Sequence, residues 1–284
     1  MYALIALGYT MVFGVLKLIN FAHGDVFMVG AYLSYYCARY LGFDRHPSII
    51  GAIFTLLFAM TGAAILGVLI ERLAYRPLRK APRINALITA IGVSMLLQYS
   101  GQLIFGPDPK FFPPLLPDRQ IQLPFDLVVS SVQLVVLAFA LLLMLALNLL
   151  VQRTKFGLAL RALSQDFEAA ALMGIPVNRT ISITFAVSAA LAAAAGLMVG
   201  LTYPKIDPLM GNLSGLKAFI AAVFGGIGNV KGAAVGGLLL GLGEELMTGY
   251  GSSTYRDALA FVLLILVLFV RPAGLFGKQE IEKV

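Results

Sequence analysis

"LVVSSVQLVVLAFALLLMLALNLLV", residues 127–151, holds no charged side chain in 25 positions. At about 1.5 Å of helical rise per residue, such a run can cross a hydrocarbon layer of about 30 Å. Ile49–Ile70, residues 84–106 and residues 180–204 are also free of charge, and the four runs are 22 to 25 residues long. The 284-residue chain is 60% hydrophobic and 12% charged, with a mean hydropathy of +0.90. Soluble globular domains carry about 25% charged residues. The alternative, a soluble protein with an enlarged core, does not account for four such runs. The fold class is therefore all-α, a polytopic integral membrane protein.

Five shorter runs of 12 to 16 uncharged residues accompany the long ones: 1–16, 26–38, 218–230, 232–243 and 258–270. They must borrow polar flanks or form broken and re-entrant helices, which survive only against protein or a water-filled cavity. The short group is expected to line a pathway and the long group to face lipid. The total is eight or nine transmembrane or re-entrant helices, according to whether 218–243 crosses twice or re-enters.

The net charge is +7. In a membrane chain this reflects basic cytoplasmic loops, not a nucleic-acid partner. Residues 71–83 carry Arg72, Arg76, Arg79, Lys80 and Arg83 against one acid, and residues 152–179 carry Arg153, Lys155, Arg161 and Arg179 against Asp166 and Glu168. Both are assigned to the cytoplasm. The stretch between the spans that follow 71–83, residues 106–126, has six prolines with Asp108, Lys110, Asp118, Arg119 and Asp126, and reads as an outer loop. The tail from Arg271 is expected inside. Cys37 is the single cysteine and His23 and His46 are the two histidines, so neither an intrachain disulfide nor a metal-ligand spacing exists. Residues 1–16 lack the basic n-region and cleavage site of a signal peptide.

The 152–179 loop contains "FEAAALMGIPVNRT", residues 167–180. Leu160, Leu163, Phe167, Ala170 and Ala171 are spaced 3, 4, 3 and 1, one face of a short helix. Gly174 can cap it and Pro176 resists its extension. Asp166 and Glu168 face away from the apolar stripe, which needs either lipid headgroups or another protein as a partner.

"INFAHGD", residues 19–25, places Asn20, His23 and Asp25 between two short apolar runs. It reads either as a break between pathway-lining helices or as an interfacial turn. Asn85, Thr89, Ser94 and Gln98 form a polar stripe on an apolar span, facing water or bonding to another helix. Eight glycines lie between Gly225 and Gly243. The spacings Gly232 to Gly236 and Gly237 to Gly241 allow close helix approach, while Gly226 and Gly228 before Asn229 allow a turn. Two short helices joined at 229–231 are expected. No phosphate-loop spacing is present, so any ATP is used by another chain. Glu244 and Glu245 read as solvated charges at the outer interface, with the lining of an outer vestibule as the alternative, and Lys205, Asp207, Lys217 and Arg256 as outer-loop charges of the same status. The arginines at 72, 76, 79 and 83 read as topological, with anionic lipid or a soluble partner as alternatives.

Glu168-Ala169-Ala170 followed by Gly174 resembles the loop through which bacterial ABC importer permeases engage their ATPases, although the downstream part of that consensus is missing. "LGYTMVFGVLKLINFAHGDVFMVGAY" (7–32), "ERLAYRPLR" (71–79), "TAIGVSMLLQ" (89–98) and "AAVFGGIGNVKGAAVGGLLLG" (221–241) resemble the branched-chain amino-acid ABC permease family, its high-affinity H-type subunit in particular. The resemblance implies one permease domain over 1–284, with no catalytic residue and no cofactor of its own. It implies a second related permease, two cytoplasmic ATPase subunits and a periplasmic or extracellular binding protein as partners. The site would be the bacterial inner membrane. Asp166, Glu168, Ala169, Ala170, Gly174 and Pro176 are the expected coupling residues. Asn20, His23, Asp25, Asn85, Thr89, Gln98, Gly226, Gly228 and Asn229 are the pathway candidates. Relatives with these motifs for urea, amides or other amino acids remain the nearest alternative. An ion-driven secondary transporter is the more distant one, disfavoured because Asp25, Lys217, Glu244 and Glu245 all lie near segment ends.

Overall fold

The computed structural model describes residues 1–79, 81–123, 127–271 and 273–277. Lys80, Asp126 and the tail beyond 277, all invoked above, lie outside the described residues. Helix α1 (Tyr2–Leu16) ends where Lys17 takes left-handed backbone at φ 54°. Helix α2 (His23–Tyr40) follows, then α3 (Ile49–Ile70), whose first turn is capped by Ser48 Oγ accepting the Gly51 N–H at 3.1 Å. A π-helical turn (Glu71–Tyr75) and a 3-10 turn (Arg76–Leu78) extend α3 and lead to α4 (Arg83–Phe105). The next loop contains β1 (Lys110–Phe111), β2 (Gln120–Leu123) and β3 (Leu127–Ser130). Then come α5 (Ser131–Arg153), α6 (Lys155–Gln165), α7 (Phe167–Leu172) and α8 (Val177–Thr202). Strand β4 (Lys205–Ile206), α9 (Met210–Gly225), α10 (Val230–Tyr250) and α11 (Arg256–Val270) complete the order.

Among the described residues nine helices have 15 or more residues, in keeping with eight or nine crossing or re-entrant segments. Five helical segments are long and apolar enough to span a membrane: Ile49–Leu78, Ile84–Phe105, Ser131–Arg153, Val177–Thr202 and Ser253–Val270. The run 127–151 is not helical throughout. Its first four residues pair antiparallel with Gln120–Leu123. Ser130 is the cause: its hydroxyl accepts the Val132 N–H at 3.1 Å, and Gln133 reaches back to the Ser130 N–H at 3.3 Å. That reciprocal box starts α5 at Ser131.

Two opposite ends can be identified from side-chain and backbone pairings. At one, β1 pairs with β4, and the Lys110 ammonium donates to the Tyr36 hydroxyl at 2.8 Å. This joins the C-terminal ends of α2 and α8 to the proline-rich loop. At the other, Arg79 donates to Asn178 Oδ1 at 2.6 Å, which joins the two basic loops. The charge-based grouping of loops and the tertiary grouping therefore agree.

Helix α8 sits at the centre, packed on α1, α2, α3 and α5. Small residues permit this. A Cβ on Gly196 would lie 2.5 Å from the Phe27 carbonyl oxygen, and one on Gly67 would lie 2.7 Å from that of Phe185. Length was accordingly the wrong guide to which helices face lipid. The 26-residue α8 is buried along most of its length, whereas the short α11 is almost wholly exposed. Alanine, glycine and serine dominate α8, so neighbouring backbones approach it closely; leucine, valine and phenylalanine dominate α11. Helices α3, α4 and α5 do expose most of their apolar side chains, and α1, α2 and α9 are largely buried.

Candidate functional site

The 152–179 segment is two helices, not one. Thr154 Oγ1 caps α6 by accepting the Gly157 N–H at 3.1 Å. Asp166 then interrupts the helix: its carboxylate accepts the N–H groups of Glu168 and Ala169 at 2.8 and 2.9 Å and starts α7. An aspartate outcompetes helix continuation here because it satisfies two first-turn donors with one charged group. At the far end Gly174 adopts φ +82°, and the Ile175 N–H returns to the Ala170 carbonyl at 3.1 Å. This is the left-handed closure expected of that glycine. Pro176 immediately precedes α8.

The apolar stripe of this segment does not await a partner. Leu160, Leu163 and Ala170 are buried in the main core and Phe167 packs against it, whereas Ala171 is exposed. The outward surface consists of Glu168, Ala169, Ala171, Leu172 and Met173, with Leu172 88% and Met173 83% exposed. Helical spacing pointed to the inner face because it cannot tell which apolar residues the rest of the chain will cover.

Helix α8 begins four residues after Met173, and its first turns are tied to the π-helical turn. Glu71 is fully buried, pairs with Arg79, and accepts from Ser182 Oγ at 2.6 Å. From the same turn, the Tyr75 hydroxyl donates to Asn20 Oδ1 at 2.8 Å. Tyr75 also packs on Phe185 of α8, 5.3 Å between ring centres. A continuous set of contacts thus runs from the 152–179 segment to the INFAHGD motif.

That motif is buried. Asn20, His23 and Asp25 are each 5% exposed or less; His23 opens α2 and is not a loop histidine, while Asp25 lies in the first turn of that helix, as the turn reading had it. The His23 Nε2 lies 3.2 Å from the Ile5 carbonyl oxygen. A carbonyl only accepts, so Nε2 carries the hydrogen. The Tyr9 ring stands edge-on to the imidazole at 4.7 Å, and Ser188 Oγ lies 3.4 Å from Nδ1 while donating to the Gly8 carbonyl. Two residues on, Asp25 Oδ2 accepts from Ser94 Oγ at 2.5 Å, and Gln98 donates to the same hydroxyl at 3.1 Å. Asp25 Oδ1 is buried without a hydrogen-bond partner among the described residues. Gly24 lets α9 approach the start of α2, since a Cβ there would lie 2.9 Å from the Gly215 Cα.

The polar stripe on α4 divides. Ser94 and Gln98 join Asp25, while Asn85 is exposed and Thr89 is half-buried outside this network. Gly226, Gly228 and Asn229 lie elsewhere, in the turn between α9 and α10. Gly226 and Gly228 take φ +106° and +90°, and Asn229 Oδ1 caps α10 through the Lys231 and Gly232 N–H groups. Asn229 Nδ2 donates to the Phe276 carbonyl at 3.0 Å, and the Phe276 N–H donates to Gly225. Their geometry holds the hairpin to the segment after α11. Both hairpin helices run well beyond the short apolar runs assigned to them, from Met210 and to Tyr250.

The extension of α9 overturns the reading of Lys217 and Glu244 as solvated charges. Lys217 is buried in α9, 2.8 Å from Glu244 Oε1 and 2.5 Å from Asp257 Oδ1. Glu244 is fully buried and also accepts from Tyr2 at 2.8 Å and from Arg256 at 3.1 Å. Glu245 and Lys205 stay exposed, as the sequence reading had them. The sequence signal was available: residues 208–230 carry no charge except Lys217, and a lone charge inside such a run needs a partner. Burial of Asp25, Lys217 and Glu244 also removes the argument that disfavoured ion coupling. Among the described residues no three metal-ligating side chains cluster.

A family model described as "Branched-chain amino acid transport system / permease component" matches residues 1–268. The chain is 43% identical to the high-affinity branched-chain amino acid transport system permease protein LivH of Escherichia coli (strain K12), covering 100% of this chain and 93% of that protein. It is likewise 43% identical to BraD, the permease protein of the corresponding high-affinity system in Pseudomonas aeruginosa, covering 94% of the latter. A probable branched-chain amino acid transport permease of Methanocaldococcus jannaschii is 30% identical over 96% of this chain and 88% of its own length. No solved structure matches.

Proposed function

The chain belongs to the branched-chain amino acid transport system permease family, and from that premise we propose that it is the membrane permease subunit of a binding-protein-dependent ABC importer for leucine, isoleucine and valine. It is a multi-pass membrane protein of the permease class, which places the ion-driven reading behind the ATP-driven one. In this reading it is one permease domain that sits in the bacterial inner membrane with its C-terminus in the cytoplasm. It pairs with a second, related permease and two ATPase subunits, and it receives substrate from a binding protein outside. It performs no catalysis and holds no cofactor; ATP is used by the partner subunits.

The observation that carries the coupling assignment is α7. Its inner face is anchored in the core while Leu172 and Met173 stand exposed beside Glu168 and Ala169. Two neighbouring apolar side chains left bare at the basic end suit insertion into a cleft of a soluble subunit. Asp166, Ala170, Gly174 and Pro176 shape the segment that presents them. A push on α7 reaches α8 directly. It then passes through Glu71, Arg79 and Tyr75 to Asn20, at the break before α2. There His23, Asp25, Ser94 and Gln98 offer polar groups at the end of an interrupted helix, where a pathway can open or close.

Affinity purification of the tagged chain from its native membrane tests this. The wild type is expected to bring down a second permease and the ATPases. The variant Leu172→Glu with Met173→Glu should keep the permease and lose the ATPases. Retention of the ATPases by that variant would remove α7 from the coupling role.

A further inference from the structure

An open cavity of about 400 Å³ lies between the end of α3 and the start of α8, lined by Val68, Arg72, Arg76, Asn178, Arg179, Ser182, Ile183 and Ala186. Its composition is graded along its length. Arg72, Arg76 and Arg179 occupy the end at the basic loops. Val68, Ile183 and Ala186 form the part deeper along the spans. From Arg179 to Ala186 the helix rises about 10 Å, so the apolar part sits below the charged part by roughly the distance from a phospholipid phosphate to its upper acyl chain.

Among the described residues no carboxylate lines this groove. Glu71, the acid of the adjoining turn, is fully buried behind the lining, where Arg79 and the Ser182 hydroxyl satisfy it. Among the described residues, Arg72, Arg76 and Arg179 form no ion pair. Three exposed guanidinium groups over an apolar floor are complementary to one class of ligand. We propose that this groove is a binding site for an anionic phospholipid, the phosphate held by Arg72, Arg76 and Arg179 and an acyl chain laid against Val68, Ile183 and Ala186. Basic pockets between helices on the cytoplasmic side hold anionic headgroups in this way, and planar guanidinium groups suit phosphate oxygens. An acidic surface of a soluble subunit would meet the arginines but would leave the apolar floor uncovered, so lipid is the better occupant. Such a lipid would bridge the turns that follow α3 and the first turns of α8, which Arg79 ties at Asn178 and Tyr75 at Phe185.

The test is native mass spectrometry of the purified full chain in detergent, titrated with dioleoylphosphatidylglycerol, dioleoylphosphatidylcholine or soluble glycerol 3-phosphate. Wild type should retain phosphatidylglycerol in preference to phosphatidylcholine, and glycerol 3-phosphate should not bind. At about fivefold per basic residue near an anionic surface, Arg72→Gln, Arg76→Gln and Arg179→Gln together should weaken retention by about a hundredfold. The triple lysine variant should recover much of it, which shows that the chain still folds. Ala186→Phe should also lower retention by filling the floor with the charges intact. Arg39→Gln with Arg45→Gln, at the opposite end, should change nothing. Undiminished retention in the triple glutamine variant overturns the proposal. Undiminished retention in Ala186→Phe, or equal binding of glycerol 3-phosphate, overturns the lipid seat in favour of a plain phosphate site. Loss of the ATPases from the triple glutamine variant, with lipid still bound, would assign the surface to the soluble subunit instead.

Discussion

At the residue scale, Tyr75 connects two motifs that are 55 positions apart in sequence. Its hydroxyl reaches Asn20 inside the protein, and its ring rests on Phe185. Tyr75→Phe keeps the ring and deletes the one hydrogen bond, leaving the Asn20 oxygen without it. Such a loss costs about 1 to 3 kcal/mol when the remaining group is buried. The complex should still assemble and hydrolyse ATP, while substrate uptake into proteoliposomes per ATP consumed falls several-fold. Unchanged coupling in the variant would mean that the bond merely holds the turn in place. Asn20 and Tyr75 both lie in stretches that stood out in the sequence, but their pairing did not, because a residue's partner across 55 positions depends on how the helices cross. The same limit hid Lys217 and Glu244. Each was visible as a charge, and only the packing of α9 against α10 and α11 made them a buried group.

At the scale of elements, side-chain size along a helix decides its place better than its length. Helix α8 combines full spanning length with the smallest side chains, and three neighbouring backbones close on it. Replacing Gly196 by leucine should therefore destabilise the protein strongly, by overlap with the Phe27 carbonyl and the Ala31 backbone. Overpacked interiors typically lose about 1 to 3 kcal/mol, and a backbone contact leaves less room to relax. Gly92 on α4 has open space around it, so Gly92→Leu should be tolerated. Melting temperatures of the two variants in detergent check the contrast; equal losses would mean that α8 is not the packing centre. Local signals did specify element boundaries well where a side chain closes a ring with the backbone. Ser48, Ser130, Thr154, Asp166 and Asn229 each cap a helix. Among these, Asp166 broke a helix that hydrophobic periodicity had joined, because a cap acts on two or three N–H groups while periodicity averages over many residues.

For the whole molecule, charge bias along the loops and the tertiary pairings divide the chain into the same two ends. With Cys37 replaced by alanine, single cysteines report the sides. Leu172→Cys should react with an impermeant maleimide only from the cytoplasmic face, and Lys110→Cys only from the outside, in right-side-out and inverted vesicles. Labelling of both from one face would overturn the assignment. Composition and uncharged runs by themselves determined that this is a many-helix membrane protein, and motif content determined its family. Both follow from local properties: a bilayer selects apolar length, and a cap or a glycine turn acts within a few residues. Which helices lie inside, which face of α7 is left bare, and which charges are buried were decided only by the tertiary structure. Those outcomes depend on which surfaces meet across the bundle, and no stretch of sequence carries its neighbour's shape.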